Sequence, residues 1–290
     1  MYNPFTEIES DDDDKSLIGN VLQGDRKSLE KLILRNQGWI YNIAFKMVMD
    51  HDDASDITQE ILIKFITGLS TYDPEKGAFR TWLYRIVANH VLTMKKKKFE
   101  TRIHDFDTYT GLIEKLPDNR TFSHPDAGVL EEELKTGCLM GMLMCLNRRD
   151  RLVFLLGAVF NVNDVTGAEV MDITRENFRK ILSRAREKLY SHMNGFCGVA
   201  NPENRCRCSC KTKAFYDMGM LDPANTRYYK PDRKKVRDML NRKLRHFDES
   251  FYGPFLDIFI DQPFYKSPDM VQWLRDMLRH DEFRGIFDIH

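Results

Sequence analysis

Residues Tyr72 to Phe99 read YDPEKGAFRTWLYRIVANHVLTMKKKKF, and this segment decides the fold expected of the chain. It opens with a turn marked by Pro74 and Gly77, after which the apolar spacing predicts a helix over about 80–98. Aromatic side chains lie where the helix begins, and four consecutive lysines lie where it ends. Because aromatic faces stack on bases and cations bind phosphates, the segment predicts contact with a nucleic-acid strand.

The composition places the chain among globular proteins with local rather than overall charge. It has 290 residues, a formal net charge of +0 and 42% hydrophobic residues, which is enough for two domains. No apolar run reaches the roughly 18–20 residues that span a bilayer. The first fifteen residues lack the basic and apolar parts of a secretory signal. We therefore expect a cytoplasmic protein without a membrane partner.

Helical periodicity runs through most of the chain, and no convincing alternation of strands interrupts it. The sequence thus predicts an all-α fold. The predicted parts are an acidic N-terminal tail at 1–15, a helical bundle at 16–99, a flexible linker at 100–127, a helix-turn-helix domain at 128–195, a Cys-rich basic loop at 196–214 and a small helical C-terminal extension at 215–290.

The helix-turn-helix prediction rests on a short helix over 165–171 and a longer one from Thr174 to about His192. Apolar residues at 178, 181, 182, 185 and 189 form one face of the second helix, so its basic residues lie on the other face. Thr174 is a good N-cap. The first two turns are where such a helix meets base edges and phosphates.

Three segments, taken together and in order, resemble one family. The first is DITQEILIKF from Asp56, followed by the segment from Tyr72; the others are LNRRDRLVFLLGAVF from Leu146 and TRENFRKILSRAREKL from Thr174. They resemble regions two and four of the small sigma factors of the extracytoplasmic-function (ECF) group, over about 16–99 and 128–194. The resemblance implies an alternative sigma factor that binds core RNA polymerase, recognises a two-part promoter, melts it and initiates transcription.

The same resemblance implies roles for individual residues. The polymerase-binding set, which would dock on the clamp of the largest subunit, is Asp56, Gln59, Glu60 and Lys64. The DNA-binding set of region two is Phe79, Arg80, Trp82, Arg85, Asn89, His90, Lys95, Lys96, Lys97 and Lys98. The DNA-binding set of region four is Arg175, Asn177, Arg179, Lys180 and Arg184. Region four would also meet the flap of the second-largest subunit. The resemblance implies no required cofactor and no enzymatic activity.

Simpler interpretations remain open at this stage. The Asp56–Lys64 surface and the basic segment could be ordinary solvated faces, with Trp82 in the core. The whole chain could be a stand-alone helix-turn-helix regulator of transcription, or an adaptor acting through its C-terminal extension. The sequence shows neither a phosphate-binding Gly loop nor the spacing of a metal hydrolase, so an enzyme has little support.

The two final segments carry weaker predictions. Four cysteines follow the recognition helix, namely Cys197, Cys206, Cys208 and Cys210. Four thiolates can hold tetrahedral zinc, although C-x8-C-x-C-x-C is not the usual spacing; a redox role or a plain loop are the alternatives. The two other cysteines, Cys138 and Cys145, are expected in the core. The 215–290 extension is rich in aromatics and is either a helical cap or a docking surface for a regulator or recruiting protein.

Overall fold

The computed structural model describes residues 11–120, 122–228, 259, 264–277 and 279. Every regular element in these residues is helical, which confirms the predicted all-α class. The chain forms two compact units. As far as they are described, the N-terminal unit comprises Tyr2–Lys97, Phe160–Arg179 and Phe264–His290, and the central unit comprises Lys98–Val159 and Lys180–Pro263.

Four helices begin the N-terminal unit. They are α1 (Asp11–Leu22), α2 (Arg26–Val48), α3 (His51–Gly68) and α4 (Phe79–Thr93), with a short 3-10 turn after α3. Acidic side chains start two of them: Asp25 accepts hydrogen bonds from the amides of Lys27 and Ser28, and Asp50 caps α3 in the same way. Asp50 can cap α3 because Met49, the residue before it, adopts the left-handed conformation and ends α2.

Two boundaries of this region differ from the prediction. The acidic start is not a tail as far as it is described, because Asp14 lies in α1, is 1% exposed and accepts a hydrogen bond from Arg35. Helix α4 ends at Thr93 instead of about 98. Met94 leaves the helical conformation, so the lysine run follows the helix and does not extend it.

The core of the N-terminal unit forms where α2 packs on α3 and α1, and where α4 packs on both α3 and α9 (Asp164–Met171). Leu32, Ile40 and Ile61 are fully buried there. They belong to rows of apolar residues spaced three and four positions apart, the pattern that predicted these helices. Helix α9 belongs to this unit, although its sequence suggested a separate domain over 128–195.

The central unit contains α5 (Lys98–Arg102), α6 (Phe106–Glu114), α7 (Ala127–Met144) and α8 (Arg148–Phe154), which continues as a π-helical turn to Val159. The expected flexible linker therefore holds two short helices. Asp105 caps α6, and Tyr109 and Ile113 bury one face of it. A single pair of apolar residues is too short a pattern to predict a helix from sequence.

A buried ion network joins α5 to α8. Glu100 accepts hydrogen bonds from Arg148 at 2.7 and 2.9 Å and from Arg151 at 3.2 Å. Arg151 also donates to the carbonyl oxygens of Leu143 and Met144 at the end of α7 and of Leu146 in the loop that follows. Burial lowers the pKa of Arg151 to about 10, and Glu100 opposes this shift. The network holds α5 against α8.

The remaining helices are α10 (Arg175–Phe196), α11 (Cys208–Asp217) and α12 (Met270–Met277). Helix α11 packs on α7 around Leu130, Leu134 and Leu221. Of the predicted helical extension at 215–290, the structure describes 215–228, 259, 264–277 and 279, and α12 lies within these residues. Among the described residues, no helix is both long and apolar enough to cross a membrane.

Candidate nucleic-acid interface

A cluster of four aromatic rings holds the turn before α4. The ring centroid of Tyr72 lies 5.6 Å from those of Phe79 and Trp82, and Phe65 packs against both of the latter. The hydroxyl of Tyr72 donates to the carbonyl oxygen of Gly77 at 3.2 Å. Phe79 is completely buried, so its ring supports the turn and is not offered to a base in this structure. Trp82 is half-buried and keeps part of its face accessible.

Arg85 and Asn89 are exposed on α4 at a four-residue spacing and therefore share a face with Trp82. Arg85 Nε donates to the carbonyl oxygen of Glu169 in α9 at 2.7 Å. Arg80 lies nearer the start of α4, where its Nε is 3.4 Å from Asp14 Oδ2. The structure thus brings three of the predicted DNA-binding residues to one helix face and ties Arg80 to α1.

Of the four lysines, Lys95, Lys96 and Lys97 lie between α4 and α5, and Lys98 is the first residue of α5. Lys95, Lys96 and Lys98 are exposed, and Lys97 is half-buried with its Nζ 3.0 Å from Asp53 at the start of α3. The segment adds a local concentration of positive charge beside α4. Such a group of cations binds a phosphate backbone without regard to sequence.

The predicted polymerase-binding face lies on α3. Asp56, Glu60 and Lys64 are exposed at four-residue spacings, and Gln59 is half-buried beside them. Two of these residues meet under the surface at His90 of α4. Lys64 Nζ lies 2.8 Å from His90 Nδ1, and Glu60 Oε2 lies 3.3 Å from His90 Nε2.

His90, a predicted DNA-binding residue, is 4% exposed and links α3 to α4 in this structure. Burial lowers the pKa of His90, and the Lys64 ammonium lowers it further. The ring is therefore neutral at pH 7. Since Lys64 has only protons to donate, Nδ1 accepts from it, and Nε2 carries the proton of the neutral ring.

The helix-turn-helix pair is α9 and α10. Asn163 caps α9, Asp172 adopts the left-handed conformation after it, and Thr174 Oγ1 accepts from the amide of Asn177 at the start of α10. Gly167 permits close packing of the two helices. A methyl group there would lie 2.5 Å from the ring of Phe178, which is completely buried.

The exposed face of α10 carries the predicted basic set. Buried residues recur at Phe178, Ile181, Ala185 and Leu189, which leaves the opposite face in solvent. All five predicted DNA-binding residues of α10 are exposed, namely Arg175, Asn177, Arg179, Lys180 and Arg184. A helix with four cations in its first three turns matches the geometry of a recognition helix in the major groove.

Asp164 is a member of this surface that the sequence did not single out. It is the first residue of α9, and its carboxylate pairs with Arg175 at 3.3 Å and also with Arg179. Burial alone would raise the pKa of Asp164, but its hydrogen bonds with the two arginines hold it below the usual range. The eleven-residue separation from Arg175 hid this pairing, which depends on the turn between the helices.

Comparison with known proteins shows which proteins this chain is similar to. Residues 32–109, which hold α3, α4 and the lysine segment, match the model of sigma-70 region 2. The RNA polymerase sigma-H factor of Pseudomonas aeruginosa is 36% identical over 76 residues, 26% of this chain and 39% of that protein. The ECF RNA polymerase sigma-E factor of Haemophilus influenzae is 27% identical over 193 residues, 61% of this chain and 93% of that protein.

These matches support an ECF-type sigma factor. The match to the Haemophilus protein covers nearly all of that protein, whereas the chain spans less than half the length of the Pseudomonas protein. The solved structure of CnrH in complex with the cytosolic domain of CnrY is similar at 18% identity with a TM-score of 0.44, over 63% of this chain and 97% of that one.

The Cys-rich segment of this chain contains the four predicted zinc ligands, and the pKa of Cys208 is raised by burial and also by Cys197 and Cys206. Cys197 and Cys206 face each other in an isolated β-bridge, Cys208 begins α11, and the carbonyl of Cys210 binds the amide of Asn119. Burial raises the pKa of Cys206 to about 11 and that of Cys208 well above its usual value. Across the described ranges, no group of three or more His, Cys, Asp or Glu side chains could hold a metal ion. Zinc binding by the four cysteines stays a prediction.

The two cysteines expected in the core differ in exposure. Cys145 is buried and burial raises its pKa to about 12. Cys138 is only half-buried as a residue, and its Sγ accepts a hydrogen bond from the hydroxyl of Tyr109 at 3.0 Å. Both thiols are held as neutral groups at pH 7, because a raised pKa leaves little thiolate.

Proposed function

We propose that this sigma factor binds core RNA polymerase through the exposed face of α3, and that α4 and α10 contact the two elements of a promoter. Family membership supports a role in transcription initiation. The chemistry of the surfaces supports the assignment of α3 to polymerase and of α4 and α10 to DNA. Helix α3 carries exposed carboxylates and a lysine, whereas α4 and α10 carry cations and an aromatic ring. On this proposal the protein acts in the cytoplasm as a non-catalytic factor.

The observation that carries the promoter assignment is the exposed basic face of α10. Four cations and Asn177 share one side of a helix whose other side is completely packed. Buried core residues fix the rotation of the helix, so the cations have no alternative face to occupy. A recognition helix needs this fixed presentation to read base edges.

The strand-capturing role proposed for α4 follows from Trp82, Arg85 and Asn89. Opening a duplex costs stacking energy, which a protein offsets by stacking displaced bases at roughly 1–3 kcal/mol each. Trp82 keeps part of its ring accessible beside two exposed polar side chains, and the lysine segment follows one helix turn later. In the structure Arg85 donates to Glu169. Binding of a strand by Arg85 requires that this bond be exchanged.

Co-purification with core RNA polymerase tests the proposal. The wild-type chain is expected to bind stoichiometrically, and the Gln59→Ala, Glu60→Ala double variant is expected to bind at least tenfold more weakly. The matched control is Lys27→Ala, Lys31→Ala, which alters two exposed residues on α2 and should bind as the wild type does. Absence of wild-type binding would instead favour a stand-alone regulator of transcription.

A further inference from the structure

One face of α2 is covered by a segment more than 220 residues further along the chain. Residues 264–269 run without regular structure, and α12 follows them; both belong to the N-terminal unit with α2. The covered face begins at Glu30 and ends at Lys46, and we call it the α2 groove. The segment Phe264–Met277 meets it as a bound peptide would, through its backbone and through two adjacent aromatic rings.

Asn42 recognises the backbone of this segment. Its Oδ1 accepts from the amide of Tyr265 and its Nδ2 donates to the carbonyl oxygen of the same residue, both at 2.8 Å. The side chain of Asn42 is completely buried in this contact. Gln37 adds a third backbone bond, at 3.2 Å, by accepting from the amide of Met270. Paired bonds to one residue's amide and carbonyl are how proteins hold extended peptides.

The two aromatic rings are held by aromatic and cationic neighbours. The ring centroid of Tyr265 lies 4.5 Å from that of Phe45, and Lys46 Nζ lies 5.5 Å from the Tyr265 centroid. The ring of Phe264 packs edge-on against Trp39 at 5.1 Å. It passes over Gly38, where a methyl group would already touch it at 3.4 Å. The groove therefore encloses the ring of Tyr265, which is 2% exposed, and supports one side of the ring of Phe264, which is 38% exposed.

Helix α12 adds an amphipathic contact. Met270, Val271 and Leu274 are buried at the spacing of one helix face. At its far end Arg275 donates to both carboxylate oxygens of Glu30, at 2.7 and 2.6 Å. That bond holds the pKa of Glu30 below its usual value. The segment thus consists of two aromatic residues, a spacer at 266–269 and a short amphipathic helix with Arg275 in its last turn.

The groove combines the aromatic rings of Trp39 and Phe45 with two buried polar side chains, those of Asn42 and Lys46. Asn42 and Lys46 are buried by the segment, yet an amide and an ammonium are readily hydrated when it leaves. A permanent helix interface would more commonly be apolar at these positions. The exposed residues of the α3 face, such as Asp56 and Glu60, stay uncovered. The groove is therefore a second surface, separate from the proposed polymerase contact.

We propose that the α2 groove is a peptide-binding site, that Phe264–Met277 is its resident ligand held in cis, and that this ligand is exchangeable. The partner that fits the groove is a protein segment with two adjacent aromatic residues in extended conformation followed by an amphipathic helix. Such a partner displaces the C-terminal segment by taking over the bonds to Asn42 and Gln37.

A labelled synthetic peptide with the sequence FYKSPDMVQWLRDM tests the exchange by fluorescence anisotropy on the full chain. The wild-type chain should bind it weakly, because the cis segment occupies the groove. The Tyr265→Ala chain, whose own ligand is weakened, should bind it at least tenfold more tightly. Adding Asn42→Ala to that chain should abolish binding, and a peptide carrying Tyr265→Ala should not bind any variant.

A second variant guards against misfolding as the explanation. Arg275→Ala alters an exposed side chain and removes only the bond to Glu30, so it should raise peptide affinity by a smaller factor than Tyr265→Ala. The proposal is overturned if neither variant binds the peptide while both retain cooperative unfolding. It is also overturned if Tyr265→Ala unfolds the chain, since the segment would then be an obligatory part of the core, or if the Asn42→Ala addition leaves binding unchanged.

Discussion

Lys64 Nζ lies 2.8 Å from Nδ1 of His90, so a residue of the proposed polymerase face is fixed by a buried imidazole of the helix proposed to contact promoter DNA. On the other side of the same ring, Glu60 lies 3.3 Å from Nε2. The neutral ring can accept on one nitrogen and donate on the other. His90 therefore holds Lys64 by a hydrogen bond and lies beside Glu60, which links this face of α3 to α4.

This arrangement predicts that the protein loses stability as the pH falls below about 6.5, the value for an unperturbed histidine. Burial lowers the pKa of His90 in the folded state, whereas the unfolded chain regains the ordinary value. Between the two pKa values the unfolded state binds a proton that the folded state does not. The free energy of unfolding therefore decreases as the pH decreases. The loss begins near pH 6.5 and levels off below the folded pKa.

Urea unfolding at about pH 7.5 and about pH 5.5 measures the effect of this titration. His90→Gln, which keeps an acceptor and a donor, should lose less stability over this interval than the wild type. Burial also lowers the pKa of His192, but that residue is present in both proteins and cancels in the difference. Equal losses in the two proteins would contradict the assignment.

The buried ion network predicts a large cost for removing its acid. Glu100→Ala leaves the buried guanidinium of Arg151 without its carboxylate, which should lower the free energy of unfolding by about 3–5 kcal/mol. The matched control is Asp150→Ala, whose partner Lys188 lies 3.2 Å away and is 53% exposed. That change should cost only about 0–1 kcal/mol. Equal costs in urea unfolding would argue against the network.

Two glycines of the helix-turn-helix region should respond oppositely to alanine. Gly167→Ala forces a methyl group against the buried Phe178 ring and should cost about 1–3 kcal/mol. Gly195→Ala, in α10 with nothing within 4 Å, should be neutral or stabilise by up to about 1 kcal/mol. Thermal unfolding of both variants checks the ranking, and a harmless Gly167→Ala would mean that α9 and α10 do not pack this closely.

Binding to the upstream promoter element should depend on Arg179. If its guanidinium reads a base, Arg179→Ala weakens binding of the polymerase holoenzyme by about 1–3 kcal/mol. Asp164→Asn keeps the shape but removes the charge that holds Arg175 and Arg179, so it should alter affinity by less than Arg179→Ala. Promoter affinity is measured by filter binding at a fixed salt concentration. Unchanged affinity for Arg179→Ala would remove this residue from the interface.

Promoter opening should depend on the exposed face of α4. Arg85→Ala together with Asn89→Ala should leave binding to core polymerase intact and reduce open-complex formation at least tenfold, because both exposed side chains share the face of Trp82. Permanganate reactivity of unpaired thymines reports the opening. Lys27→Ala, Lys31→Ala serves again as the control. Loss of polymerase binding in the Arg85, Asn89 variant would point instead to a disturbed α3–α4 contact.

The sequence by itself determined the helical class and most of the exposed surfaces. Apolar residues at three- and four-residue spacing place the buried faces of α2, α3, α4 and α10, and this leaves the basic residues of α10 in solvent. The order of the motifs indicated the resemblance to ECF sigma factors. The motifs contain the same residues that the helices bury or expose, so they too can be recognised from the sequence. These signals are local, extending over one or two helix turns.

Only the tertiary structure decided which polar residues are accessible and which are enclosed. Phe79 and His90 carry the chemistry of a DNA contact, yet both are buried by packing between α3 and α4. The pairing of Asp164 with α10 depends on a turn, and the contact of Asn42 with Tyr265 joins positions 223 residues apart. No local pattern encodes such pairs. Their partners are brought together only when the apolar faces of several helices are buried at once.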